Sequence, residues 1–186
     1  MSQLQVADLR LAQPDEPAQL IGINICALPA CEPHPMMLRN QHGVEMGTGG
    51  LVVQAPSREE ILADTLVAFA LRPNRRTNRD LWDIAWLRQQ GVVLPQALIP
   101  QKLSDHGCDG PGFVELLAER QQALRTTPQT RADFQQEMRR LLPAALVSET
   151  IGNPDFWNYV TTVVADECRR AYDALSSDTP SPRFRM

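Results

Sequence analysis

Acidic and basic side chains lie close together in residues 72–83, and this stretch of the sequence is the best suited to chemistry. It contains the carboxylates Asp80 and Asp83 and four arginines, Arg72, Arg75, Arg76 and Arg79. Carboxylates three residues apart project from neighbouring positions on one helix face. Carboxylates opposite a cluster of arginines can hold a metal-bound triphosphate or steer an attacking hydroxyl. Asp80 and Asp83 are therefore candidate catalytic residues.

The same spacing also fits a solvated helix face with no chemistry. Arg79 and Asp83 are four residues apart, so they can form an ion pair along a helix. Such exposed pairs contribute only a few tenths of a kcal/mol each. Spacing alone favours this second interpretation.

Two amphipathic helices are predicted to hold the stretch. Ser57 and Glu60 match a capping box, in which the Ser57 hydroxyl accepts from an amide of the first turn and Glu60 reaches back to the cap amide. The predicted apolar stripe of the first helix is Ile61, Leu62, Leu66, Phe69 and Ala70. Asn78 is the predicted cap of the second helix and Gly91 its stop. Its predicted inward residues are Leu81, Ile84, Ala85 and Leu87.

Further helices are predicted at roughly 95–105, 113–125, 131–142 and 154–176. Thr130 is the expected cap of the third of these, and Pro154 opens the last at a position where its missing amide costs nothing. An interruption is expected at Pro100, within the first. The polar segment 177–186 is predicted to be a flexible tail.

Residues 1–55 are predicted to be extended. Ile21, Ile23 and Ile25 alternate within 20–26, the period of a half-buried strand, and 4–11 alternates less clearly. A loop is expected from Pro29 to Gly43. Residues 44–46 and 51–53 flank a glycine-rich turn and predict a hairpin.

These patterns together predict an α+β protein, with a short antiparallel or mixed sheet at the N-terminus followed by a mostly helical bundle. The predicted division is a strand-rich region 1–55, a helical lobe 56–176 and the tail. We expect the sheet to leave an exposed edge that invites self-association.

Composition narrows the class of protein. Of 186 residues, 43% are hydrophobic and 22% charged, the balance of a soluble globular protein. The net charge of −4 gives no overall attraction to nucleic acid, so any such contact needs a local basic patch. No apolar run reaches the roughly 18 residues of a membrane span, and no signal peptide is recognisable. We therefore expect no membrane association.

The cysteines and aromatic residues receive ordinary interpretations. Four cysteines without a CxxC pair, Cys26, Cys31, Cys108 and Cys168, indicate reduced thiols in the cytoplasm. The segment from His106 to Asp109 has no second cluster to complete a zinc shell, so we predict no metal site. Trp82 and Trp86 are predicted to pack in the core or an interface rather than to stack on bases.

The order of motifs resembles the AbiEii/AbiGii toxin family of nucleotidyltransferases, the toxin halves of bacterial toxin–antitoxin and phage-abortive systems. The resemblance rests on Glu-Glu-Ile-Leu-Ala-Asp-Thr-Leu at 59–66, a short basic linker and Arg-Asp-Leu-Trp-Asp at 79–83. Ile-Asn-Ile-Cys-Ala-Leu-Pro at 23–29 and Met-Leu-Arg-Asn at 37–40 also resemble the family's preceding segment. The similarity is clear over about residues 20–92.

This resemblance implies a transferase core like that of DNA polymerase β. In the family, a glycine-serine turn and paired aspartates hold Mg²⁺ and the nucleoside triphosphate, and the helical half adds a lysine and an aspartate. The expected product is nucleotides added to RNA ends, notably tRNA. The resemblance gives Arg75, Arg76 and Arg79 the role of nucleotide- or RNA-binding residues, with Asp80 and Asp83 as the catalytic pair.

Three departures from the family pattern bear on activity. No glycine-serine turn followed by Asp-x-Asp occurs in the sequence. Thr65 stands where the family has lysine in Ala-Asp-Lys-Leu, and threonine supplies no cation to a phosphate. A further carboxylate position corresponds to Asn24, whereas Mg²⁺ requires hard anionic oxygens.

The leading hypothesis is therefore a truncated toxin-family protein that is inactive alone, its catalytic core encoded separately or lost. No cofactor is expected for this chain by itself, although the family implies Mg²⁺ and NTP. The alternatives are a non-catalytic helical module that binds RNA or an antitoxin, and a helical domain whose arginine–aspartate patch has no function.

Overall fold

The computed structural model describes residues 5–11, 19–25, 30–39, 47, 49–72 and 78–177. The strands are β1 (Gln5–Leu11), β2 (Gln19–Ile25), β3 (His34–Met37) and β4 (Val52–Ala55). The helices are α1 (Arg58–Leu71), α2 (Asn78–Gln89), α3 (Leu98–Asp105), α4 (Gly110–Thr126), α5 (Pro128–Leu141), α6 (Ala144–Glu149) and α7 (Pro154–Ser177). The predicted α+β class is confirmed.

The described strands form two separate antiparallel pairs. β1 pairs with β2 from Gln5 opposite Ile25 to Leu11 opposite Gln19, which confirms both predicted strands. β3 pairs with β4, His34 lying opposite Ala55. The loop predicted from Pro29 to Gly43 is therefore wrong at 34–37. The strand predicted at 44–46 and almost all of the predicted tail lie outside the described residues.

Some of the predicted helix signals are confirmed and others are wrong. The Ser57 hydroxyl accepts from the Glu60 amide at 3.0 Å, as a capping box requires, and Gly91 follows α2 with a φ of 78°. Pro100 does not interrupt α3, because it lies in the first turn, where no intrahelical partner is needed. α5 begins at Pro128 with Thr127 as its cap residue, not Thr130. The short α6 was not predicted.

The core lies between α1, α2, α4 and α7, with α3 and α5 closing its sides. The four predicted inward residues of α2 are all buried, and so is the α1 stripe except for the exposed Ile61. Trp82 packs against Phe156 at 5.8 Å between ring centroids, whereas Trp86 is exposed and not a core residue.

Two further findings concern the cysteines and the length and polarity of the helices. Cys31, Cys108 and Cys168 are free thiols. None of the helices described is long and apolar enough to cross a membrane.

Candidate functional site

Asp80 lies in the first turn of α2, where α2 meets the end of α1, and is only 5% exposed. Its Oδ1 accepts a hydrogen bond from Nη1 of Arg72 at 3.0 Å. Its Oδ2 is also buried and has no hydrogen-bond partner among the described residues. A buried carboxylate oxygen without a donor is costly, so this position is explained poorly by stability alone.

The surroundings of Asp80 favour its protonated form. Burial raises the pKa of Asp80 to about 6, the Arg72 guanidinium opposes that rise, and the carboxylates of Asp83 and Glu137 add to it. A carboxyl group that exchanges its proton near neutral pH suits general acid–base work. Of the two candidate carboxylates, Asp80 is the buried one, and its Oδ2 has no described hydrogen-bond partner.

Glu137 of α5 fixes the start of α2. Its Oε2 accepts from Nδ2 of Asn78 at 2.9 Å, and its Oε1 lies 3.4 Å from Nε of Arg79. The ion pair predicted between Arg79 and Asp83 is thus replaced by one between Arg79 and Glu137. Asn78 is the first residue of α2, and its side chain donates a hydrogen bond to Glu137 of α5.

Asp83 is exposed, one turn further along α2. Loss of water at the helix junction still raises the pKa of Asp83, and Arg79 and Arg72 oppose the rise. The main packing contacts of α2 are with α1, α5 and α7. Arg75 and Arg76 lie outside the described residues.

A groove of about 1040 Å³ lies beside the start of α2, between α4 and α5. Its cationic residues are Arg79, Arg120 and Arg140, and its anionic residues are Asp133 and Glu137. Nη2 of Arg120 donates to the backbone oxygen of Arg72 at 2.9 Å, while its buried Nε has no described partner. Arg120 thereby connects the groove to the residue that holds Asp80.

Sequence reasoning missed a second ionic cluster, around Lys102 of α3. The buried Nζ of Lys102 lies 2.5 Å from Oε1 of Glu60 and 3.0 Å from Oδ1 of Asp64. Glu60 also accepts from the amides of Cys31 at 2.7 Å and Glu32 at 3.3 Å, so it does not reach back to the cap amide as predicted. Lys102 is the only lysine in the sequence. This is the sequence feature that could have drawn attention to it.

The charged forms dominate in this second cluster. Burial alone raises the pKa of Glu60, but Lys102 and the two backbone amides outweigh it and lower that pKa to about 2. Burial likewise lowers the pKa of Lys102, and Glu60 and Asp64 reverse that effect and raise it. The hydroxyl of Thr65 donates to the Ile61 carbonyl at 2.7 Å within α1. The cation beside Asp64 therefore comes from α3, not from the helix position where the family carries lysine.

The described residues do not by themselves fit Mg²⁺. No group of three or more histidine, cysteine, aspartate or glutamate side chains among them is placed to hold a metal ion. Asp80 is engaged by Arg72, and Glu137 by Asn78 and Arg79.

A buried aspartate whose pKa is raised to about 6, beside a groove that contains three arginines, is an arrangement compatible with nucleotide chemistry. A family model described as "Nucleotidyl transferase AbiEii toxin, Type IV TA system" matches residues 3–162. The chain belongs to this family of nucleotidyl transferase toxins. The match extends well beyond 20–92, where the resemblance is clearest. The comparison with curated proteins gives no match, and the comparison with solved structures gives none either.

Proposed function

We propose that this chain is a toxin-family protein whose helical lobe supplies the aspartate and arginine side of a nucleotide pocket, and that it does not transfer nucleotides alone. The observation that carries the proposal is Asp80. It is the first aspartate of the Arg-Asp-Leu-Trp-Asp motif, it is buried, and its Oδ2 has no described partner. A ligand or partner group at Oδ2 would supply the missing hydrogen bond.

Inactivity of the chain alone follows from what its residues offer. The sequence contains no glycine-serine turn with an Asp-x-Asp pair, and Thr65 replaces the family's lysine. Lys102 does not substitute for it, because its ammonium is buried and already bound to Glu60 and Asp64. We expect Mg²⁺ and NTP to be held productively only when paired aspartates from outside these 186 residues complete the site.

The same proposal names the partners and the compartment. The proposed protein partner is the antitoxin of a type IV system or a catalytic core, and the proposed nucleic acid substrate is RNA, with tRNA as the first candidate. Arg75, Arg76 and Arg79 are the proposed RNA- or nucleotide-binding residues, and Asp80 and Asp83 the proposed catalytic ones. The three free thiols support a cytoplasmic location.

The groove favours one alternative function, a non-catalytic module that binds RNA. Arg79, Arg120 and Arg140 line it, and Nε of Arg120 is buried without a described partner. A guanidinium group with a free donor suits a phosphate oxygen. In this alternative the chain binds RNA, but Asp80 has no role in nucleotide binding.

The first experiment is a transfer assay. The purified chain is incubated with each labelled NTP, Mg²⁺ and total tRNA, and we expect no incorporation above a reaction without protein. Incorporation by the chain alone would overturn the proposed inactivity.

A binding titration separates the two functions. We expect labelled ATP or CTP to bind the chain, and Asp80→Asn to change the affinity at least several-fold at pH 7. Asp105→Asn, at an exposed carboxylate outside the groove, is the matched control and should leave it unchanged. Binding of tRNA without any NTP binding would favour the RNA-binding module instead.

A further inference from the structure

The hairpin of β3 and β4 exposes apolar side chains to solvent. All four residues of β3 are exposed, and so are the first three of β4. Leu51 and Val52 are 55% and 61% exposed, which is unusual for large apolar residues in neighbouring positions. Two strands alone are marginally stable in water, so this hairpin is a candidate for further pairing.

The hydrogen-bond ladder shows which backbone groups of β3 face outward. The amide of Leu38 donates to the carbonyl of Leu51 at 2.8 Å. Backbone groups alternate between the two edges of a strand, so His34 and Met36 also turn theirs toward β4. Pro35 and Met37 turn theirs away. Because proline has no N–H, Pro35 cannot donate a hydrogen bond at the outer edge of β3, which disfavours pairing of this edge with another strand.

The outer edge of β4 has no such protection. By the same alternation, Val52 and Gln54 direct their N–H and C=O groups away from β3. No other described strand pairs with this edge. The strand Val-Val-Gln-Ala contains neither a proline nor a charged residue, the two devices with which exposed edges usually resist pairing. Among the strands that the structure describes, β4 thus has the edge open to another strand.

We propose that β4 pairs antiparallel with β4 of a second copy of this chain and so joins two hairpins into a four-stranded sheet. A two-fold axis at Val53 would place Val52 opposite Gln54 of the second copy, and Gln54 opposite its Val52. Each of these two pairs exchanges two backbone hydrogen bonds.

Three features favour a second copy of this chain as the partner of the β4 edge. An antiparallel strand pair about a two-fold axis is self-complementary, so one edge suffices for both partners. The uncharged strand brings no like charges together. Pro35 leaves each hairpin with one open edge, which closes the assembly at a dimer instead of extending it into a filament. The dimer also removes exposed apolar surface of Leu51 and Val52 from water.

The mass of the purified chain in solution, measured by light scattering after size exclusion across a concentration series, tests the proposal. We expect a shift from 20.8 kDa toward twice that mass as concentration rises. Gln54→Pro removes the outward amide and leaves the β3–β4 ladder unchanged, so it should keep the chain monomeric. Gln54→Ala keeps that amide and is the matched control, which should dimerise like the natural chain.

Two further variants keep the test decisive. Val52→Lys places a charge beside the dimer axis and should weaken dimerisation at least tenfold. It tests the proposal even if the proline variant misfolds. Far-UV circular dichroism reports whether each variant is folded. Pro35→Ala restores an amide at the β3 edge and should produce species larger than a dimer. The proposal is overturned if the natural chain stays monomeric. It is also overturned if this edge binds another protein while the chain itself stays monomeric. Dimers that persist in both Gln54→Pro and Val52→Lys overturn it as well.

Discussion

Two buried carboxyl groups lie near opposite ends of α1, Glu60 in α1 itself and Asp80 in α2, and their electrostatic surroundings differ. At the N-terminal end, Glu60 receives a lysine and two backbone amides. At the C-terminal end, Asp80 of α2 receives one arginine on one oxygen and nothing described on the other. The pKa of Glu60 is about 2 and that of Asp80 about 6. Both carboxyl groups are buried, yet their pKa values shift in opposite directions because their partners differ.

This contrast separates a structural cluster from a candidate site. A buried charge is stabilised when hydrogen bonds and an opposite charge replace its water. Glu60 meets that condition and, through the amides of Cys31 and Glu32, fixes the segment before β3 onto α1. Asp80 does not meet it within the described part of the chain, and carboxyl groups in this state are concentrated at functional sites.

The largest effect is expected at Lys102. Lys102→Met removes the cation while Glu60 stays buried, so it should lower the free energy of unfolding by about 3–5 kcal/mol. Arg169→Met is the matched control. Arg169 pairs with Asp166 at an exposed position of α7, where loss of an ion pair costs less than about 1 kcal/mol. Urea unfolding at pH 7 measures both. A similar small loss for the two variants would contradict the structural role of the cluster.

Local sequence chemistry predicted the helical part of this fold well. The cap at Ser57, the stop at Gly91 and the inward face of α2 each depend on residues within a few positions of one another. The Lys102 cluster joins residues 38 and 42 positions apart, and no periodicity encodes such a contact.

The candidate site was predicted only in part, for the same reason. The motif located Asp80 and Asp83, but nothing near them in sequence shows that one is buried and the other exposed. Glu137, which takes Arg79 away from Asp83, lies on α5. The β3 strand was missed because Pro35 and the surrounding prolines are typical of a loop, although proline is tolerated at a sheet edge.

An intermediate effect is expected within α2, and it compares the two sides of the Arg-Asp-Leu-Trp-Asp motif. Leu81 is fully buried, so Leu81→Ala should lower the free energy of unfolding by roughly 2–4 kcal/mol. Asp83→Ala, at an exposed position, should cost less than about 1 kcal/mol. Thermal or urea unfolding of the two variants checks this. Equal losses would mean that Asp83 contributes to the packing of α2.

The smallest effect concerns the pH dependence that Asp80 gives to stability. Its pKa is 3.8 in the ordinary state and about 6 in the folded chain, so between these values the folded chain binds more protons than the unfolded one. Stability then falls as pH rises through 6. From pH 5 to pH 7 this loss amounts to roughly 1 kcal/mol. Glu60, with its pKa of about 2, stays ionised in the folded chain throughout this window, and its small contribution has the opposite sign because the unfolded chain binds slightly more protons there at pH 5.

Asp80→Asn isolates this contribution, because asparagine resembles the protonated acid and does not titrate. We expect the free energy of unfolding of the natural chain to fall between pH 5 and pH 7 by roughly 1 kcal/mol more than that of the variant. The variant should therefore gain on the natural chain as pH rises, although its ion pair with Arg72 is lost. Urea unfolding of both chains at half-unit pH steps measures the difference. Parallel pH profiles would show that Asp80 is already satisfied in the fold, and the contrast between the two ends of α1 would then disappear.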